Sequence, residues 1–332
     1  MPSRFAPTLR PVPPAPGARP LPRARLAARV RVALAAALTL AGAAAGAGRA
    51  AGAGVAGGAP SVRGDSLRGV VYRVRDARGH TLHLIGSVHL LDSASVRLPV
   101  ALDAAVAAAR VVAFELHLDS AAAQTPALLG RGLLPADRPL ARVVAPATDS
   151  LLRAVLPGLG VATAQVQRLK PWLLSLQLAG VAMQRAGFRP EYGLDRQPWA
   201  RARAAGVRVV ALETAAEQIA VLDGLPADDQ EAMLRNALGD VGRAEVVAGA
   251  LRRAWRAGDV RALDSLAFSR MAAYPRTRAA LFDDRNARWV PQVERLLADG
   301  APAAVVVGAG HLVGPRSVVA LLRDRGYDVE QQ

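Results

Sequence analysis

The sequence predicts an α/β fold: a mixed sheet core with two pseudo-repeated strand–Gly-x-x-His–helix units and a long helical insertion. Three observations carry that expectation. Strand-like apolar runs lie near both ends of the chain, helical periodicity follows them, and the long middle is helical with one short apolar break. Residues 70–74 and 81–87 read as strands around a turn at 76–79, where Asp and Gly favour a hairpin. Apolar residues then recur at helical spacing over 96–109, and VVAFELHL at 111–118 returns to a strand pattern. From 135 to about 204 the pattern is helical, with turn signals at 157–160 and 187–190. A short strand at 207–212 ends at Glu213, and 214–298 is helical again, with Asp228 and Asp259 as expected N-caps. Residues 303–307 suit a buried strand, a helix runs from Ser317 to a stop at Gly326, and 327–330 suit an edge strand. No longer period recurs, which argues against a solenoid.

With 332 residues, 52% of them hydrophobic and 21% charged, the chain can bury a substantial core. Its formal charge of +15 first suggests a polyanion partner. However, eight Arg fall in residues 1–60, which hold no Asp or Glu, and beyond them 34 basic residues face 27 acidic ones. Lys170 is the sole Lys, and aromatics make up 4%, which gives little material for stacking bases. Nucleic acid is therefore not an expected partner. Residues 1–60 read as a secretory signal and small-residue linker: an Arg-rich lead, an apolar run at 32–47, then Ala and Gly. That run of 16 residues is shorter than the roughly 18 to 20 that span a bilayer. Membrane contact is thus expected only during export, towards a periplasmic or secreted location, with an N-terminal anchor as the alternative. The chain has no Cys, so disulfides, thiolate metal sites and Cys nucleophiles are excluded.

Chemistry must then come from His, carboxylates, hydroxyls or Arg. Gly86-Ser87-Val88-His89 and Gly308-Ala309-Gly310-His311 each follow an apolar strand and precede a helix. Glycine permits a tight turn or close approach there, and a His so placed reaches the carboxyl edge of the sheet, where ligands bind in open α/β folds. Glu115 interrupts the strand 111–118, where an unpaired carboxylate is costly to bury. His117 shares its face if alternation holds. Glu213 ends another strand in the same topological position. Two imidazoles with one or two carboxylates form an N/O set suited to Zn²⁺, Mn²⁺, Co²⁺ or Fe²⁺, with His89, His311 and Glu115 as ligands. A metal could activate water there. The same His and Glu also suffice for acid/base catalysis without metal. His80 and His83 read as structural. The sequence contains no HExxH, Walker A loop or GxSxG elbow, and no Rossmann fingerprint follows the first strand.

Seven ordered blocks make the chain resemble the TraB/GumN family, which includes Tiki-type metalloproteases and pheromone-shutdown proteins. They are LIGSVHLL at 84–91, VVAFELHLD at 111–119, QRLKPW at 167–172, EYGLDRQ at 191–197, VVALETAAEQIAVLDGL at 209–225, DRNARW at 284–289 and VVVGAGHLVGPRSVVALLRDRGYDV at 305–329. The resemblance implies a single domain over 61–332 with an erythromycin-esterase/ChaN-like core, and both Gly-x-x-His motifs and Glu115 in one cleft. It places His89, His311 and Glu115 at the centre, with Gly86 and Gly308 in the two turns and Asp195, Glu213 and Asn286 in support. Arg285 would stabilise an oxyanion or orient a carboxylate. His117 departs from the family pattern. The expected function is a metal-dependent hydrolase, peptidase-like, using Mn²⁺, Co²⁺ or Zn²⁺ on a peptide or small-molecule substrate. The alternatives are a non-catalytic peptide-sequestering protein and a metal-free esterase-like hydrolase.

Overall fold

The computed structural model describes residues 67–95 and 97–332, so the secretory signal expected at 1–60 lies outside the described residues. Strands β1 (Val70–Arg75) and β2 (Thr81–Ser87) form the expected antiparallel hairpin. Asp76 Oδ1 accepts from the Arg78 and His80 amides at 2.9 and 2.8 Å, and Gly79 takes φ +86°. Such a left-handed position is open to glycine at no steric cost. Helix α1 (Val100–Ala108) leads to β3 (Val111–Phe114), followed by α2 (Leu118–Arg131), α3 (Pro146–Val155), α4 (Pro171–Arg185) and α5 (Arg196–Ala204). Strand β4 (Arg208–Ala211) precedes α6 (Ala215–Asp223), α7 (Ala227–Asp240), α8 (Ala244–Ala257), α9 (Val260–Phe268) and α10 (Asp284–Ala298). The chain closes with β5 (Ala303–Gly308), α11 (Val318–Asp324) and β6 (Asp328–Gln331).

The six strands form one mixed sheet in the order β4-β3-β5-β2-β1-β6. β4, β3, β5 and β2 run parallel, while β1 is antiparallel to both its neighbours. Every residue of VVAF in β3 is buried, as are the first five of AAVVVG in β5. These runs lack alternation because helices cover both faces of a parallel sheet. The edge strand β6 is exposed except at Val329. Part of the helical middle has its own apolar centre, where Leu140, Leu152 and Leu156 meet Leu174 of α4 and Leu234 of α7. Among the described residues no helix is long and apolar enough to cross a membrane.

Several boundaries differ from the sequence expectation. The strand beginning at Val111 ends at Phe114, and α2 starts at Leu118, so alternation does not reach His117. Helix α1 begins at Val100, where Pro99 precedes it, instead of at 96. Asp259 caps α9 by accepting from the Ala262 amide at 3.0 Å, whereas Asp228 sits inside the first turn of α7 and is not its cap. The two Gly-x-x-His motifs do leave adjacent parallel strands, but out of step. Ser87, not Gly86, pairs with Gly308.

Gly86 answers to packing. A Cβ there would meet Val70 Cγ1 at 2.8 Å and the Ala309 backbone at 3.2 Å, while its carbonyl accepts from Trp255 Nε1 at 2.9 Å. Gly86→Ala is expected to destabilise the protein by about 1–3 kcal/mol through overpacking, measured by urea unfolding. A stability equal to wild type would show that the first motif tolerates a side chain and is not held this tightly.

Candidate active site

The parallel strands bring their carboxyl ends to one edge, where topology alone orders the chemistry. Across β4, β3, β5 and β2 the residues leaving the sheet are Glu213, Glu115, the turn 308–311 and His89. The ladder continues one step beyond the strands, with the Glu213 amide donating to the Glu115 carbonyl at 3.1 Å.

His89 is placed by a second backbone seam. Leu194 N donates to Val88 O at 3.0 Å, and Leu91 and Arg189 exchange bonds at 3.3 and 2.7 Å. Gly193 lets this segment lie against the His89 carbonyl, into which a Cβ would collide. The seam delivers Asp195, at the start of α5, to His89 Nδ1. The Asp195 side chain makes no capping bond to α5, so its carboxylate is given to the imidazole. Nε2 of His89 makes no protein hydrogen bond among the described residues and points to the sheet edge. Burial lowers the pKa of His89, but the Asp195 carboxylate, with Glu115 behind it, outweighs burial and raises it.

Arg285, on α10, is the node of the site. Its Nε donates to Glu213 at 3.1 Å, and Nη2 reaches Glu213 Oε1 at 2.6 Å and Glu115 Oε2 at 2.9 Å. Nη1 donates to the Leu281 carbonyl at 2.9 Å and to His311 Nε2 at 3.1 Å. Leu281 lies in a π-helical turn, Ala279–Asp283, of a kind common at functional sites. A guanidinium has five N–H donors, and here each has a protein acceptor. Arg285 therefore orients carboxylates and has no donor left for an oxyanion. Trp289, one helical turn on, lays its ring 4.7 Å from the guanidinium carbon.

His311 has both nitrogens engaged. Nδ1 donates to Asn286 Oδ1 at 2.6 Å, which leaves Nε2 as the acceptor of the Arg285 bond. The Asn286 amide nitrogen donates to Arg316 O at 2.9 Å, and this fixes the orientation of Asn286. Phe282 and Trp289 press on the ring, with centroids 5.0 and 4.5 Å away. Burial, followed by the Arg285 charge, lowers the His311 pKa to about 3. The imidazole is thus neutral at ordinary pH.

Glu115 is ionised. Burial raises its pKa, but Arg285 and the Gly308 amide, donating to Oε1 at 2.6 Å, help bring it down to about 2. His311 adds a proton's charge to that balance only in acid, since it is neutral above about 3. Glu213 moves the other way: burial raises its pKa, the Arg285 charge opposes this, and the neighbouring Glu115 adds to the rise.

The three central groups converge at Gly308. A Cβ on that glycine would lie 3.1 Å from Glu115 Oε1, 3.3 Å from His89 Nε2 and 3.7 Å from His311 Cδ2. Its φ of −53° and ψ of 137° suit any L residue. Space, not backbone conformation, accounts for this glycine. The donors nevertheless do not fit the divalent-ion centre expected from His89, His311 and Glu115. The ligating nitrogen of His311 faces Arg285, Glu115 already accepts from Arg285 and Gly308, and a fixed cation lies where their lone pairs meet. Among the described residues no group of three or more His, Asp or Glu is arranged to hold a metal ion.

His117 lies outside the cluster, edge-on to Trp199 at 4.7 Å and bonded to Ser120. His80 pairs with Asp76 in the hairpin turn, and His83 faces Arg73 across the β1–β2 ladder. Sequence inspection missed Gln218, whose Nε2 lies 3.4 Å from Glu115 Oε2 and 3.3 Å from Glu213 Oε1. It also missed Trp289 and Phe282, although the i, i+4 spacing of Arg285 and Trp289 was a usable signal.

A model of the TraB/PrgY/gumN family matches residues 70–331. No curated protein and no solved structure matches the chain.

Two outcomes follow from the charge balance. Arg285→Gln leaves Glu115 and Glu213 buried without their cation and is expected to cost about 3–5 kcal/mol in chemical denaturation. A loss below 1 kcal/mol would mean that the carboxylates are held by other groups. Because His311 stays neutral in the folded protein down to about 3 while the unfolded residue protonates near 6.5, its contribution to stability falls as pH drops through that interval. The stability gap between wild type and His311→Gln should therefore narrow from pH 7 to pH 4, and a widening gap would contradict the neutral assignment.

Proposed function

The chain belongs to the TraB/PrgY/gumN family, and from that membership and its sheet-edge geometry we propose that it is a hydrolase that activates water with His89 and needs no metal. The substrate class is a carboxyl derivative, with a peptide amide first among the candidates. One observation carries the proposal: His89 Nε2 is the imidazole nitrogen at the sheet edge with no hydrogen-bond partner among the described residues, while its Nδ1 is held by Asp195. A base oriented in this way is the common arrangement for proton transfer in acyl chemistry.

The proton path is short. As the oxygen of water bonds to the substrate carbonyl carbon, His89 Nε2 takes a water proton, and Asp195 stabilises the imidazolium. When the bond to the leaving nitrogen or oxygen breaks, the imidazolium returns that proton to the leaving group. Glu115, ionised beside Gly308, orients the water. Arg285, Glu213, Asn286 and His311 hold Glu115 in place and act through it. The proposal takes the sheet to be of the erythromycin-esterase/ChaN-like kind, with the two Gly-x-x-His units as diverged copies. It places the mature protein in the periplasm or outside the cell, following export directed by residues 1–60.

His89→Gln is expected to lower kcat by about 10²- to 10⁴-fold on the cleaved substrate. In wild type the rate should rise with pH as His89 loses its proton, with an apparent pKa above the ordinary 6.5. Asp195→Asn removes the charge that raises that pKa and should shift this limb to lower pH. The assay is a peptide and ester library digested with and without EDTA. Activity lost on chelation and restored by Mn²⁺ would overturn the metal-free mechanism, and saturable peptide binding without turnover would favour a sequestering protein.

A further inference from the structure

We propose that Ser87 is a further catalytic residue, whose hydroxyl binds the attacking water beside His89 and Glu115. This rests on the hydrolase reading above and adds a third contact to the nucleophile. Ser87 is the last residue of β2 and pairs in register with Gly308 of β5. Paired residues of neighbouring parallel strands direct their Cβ bonds to the same face, about 4.8 Å apart. The Cβ direction of Gly308 leads to Glu115 Oε1 and His89 Nε2, so Ser87 presents its hydroxyl on the face where those atoms meet.

The hydroxyl has no structural task. Ser87 is 2% exposed, and its Oγ has no hydrogen-bond partner within the protein among the described residues. An unsatisfied buried hydroxyl costs about 1–3 kcal/mol, whereas alanine would fill the position at no such cost. The glycine opposite keeps the adjoining space free of a side chain. A buried water needs two to four polar partners, and three converge here with complementary roles. The Ser87 O–H donates to the water oxygen, one water O–H donates to His89 Nε2, and the other donates to ionised Glu115 Oε1. One lone pair of the water stays unbonded and free for attack.

The test combines crystal structures with kinetics on wild type, Ser87→Ala and Ser87→Thr. In wild type an ordered water should lie within hydrogen-bonding distance of Ser87 Oγ, His89 Nε2 and Glu115 Oε1. In Ser87→Ala that water should be lost and kcat should fall about tenfold or more, the loss of one good hydrogen bond at the transition state. KM should stay unchanged, and thermal stability should change little, because Ser87 Oγ makes no hydrogen bond to the rest of the protein among the described residues. Ser87→Thr, which keeps the hydroxyl, should recover both water and rate. A Ser87→Ala protein with full kcat, or a wild type with no water at the three atoms, overturns the assignment. A water bound as described in a protein that cleaves nothing in the library would instead overturn the hydrolase reading and leave the water site standing.

Discussion

Two carboxylates share one guanidinium beneath the carboxyl edge of the sheet, and most of the surrounding structure serves that contact. Arg285 is 4% exposed, as is His311, and Glu115 and Glu213 are each 7% exposed. Charges this deep lose their hydration, and the mutual attraction rarely exceeds that loss by much. Apolar residues of similar volume would hold the helix and sheet together at least as well. The network is therefore poorly explained by stability and well explained by what it does to Glu115, which stays ionised and fixed in direction. The arrangement also leaves one carboxylate in surplus over the guanidinium, which draws proton affinity upward at Glu213 and, together with Asp195, at His89.

The two Gly-x-x-His motifs have parted in local structure. Gly86 is small because Val70 and the Ala309 backbone press against it, whereas Gly308 is small because a side chain would enter the space between His89 and Glu115. His311 has both nitrogens bonded and a ring held between aromatics; His89 keeps one nitrogen open among the described residues. A one-residue offset in strand pairing underlies the difference, since it sets Ser87 rather than Gly86 opposite Gly308. Two related sequence segments thus yield one imidazole bonded at Nδ1 alone among the described residues and one with both nitrogens engaged.

Much of this was legible in the sequence because the signals were local. Apolar runs, each followed by a glycine or a carboxylate, mark strand ends, and in a parallel sheet strand ends share an edge. His89, Glu115, Glu213 and His311 were found that way. Asp195, Arg285 and Asn286 came from family resemblance, because no local pattern ties them to the edge: Asp195 arrives along a backbone seam and Arg285 from a helix more than 70 residues after Glu213. The donor inventory was not legible at all. Whether an Arg, His and Glu present open lone pairs to a metal or satisfy one another depends on side-chain directions that spacing does not encode. His117 misled because β3 ends at Phe114, where the period-2 rule stops applying.

The position of β5 has a consequence for how the molecule comes into being. β2 and β3 are made early and lie two places apart in the sheet, with the slot between them filled by a strand near the end of the chain. Non-local pairing of this kind is slow, and a chain synthesised from its N-terminus carries Glu115 and Glu213 for many residues before Arg285 and Gly308 exist to receive them. The centre cannot be assembled by halves. A chain that stops short of β5 has an open seam through its sheet and a Glu115 without the Gly308 amide that it accepts from, so the whole edge waits on the last parallel strand.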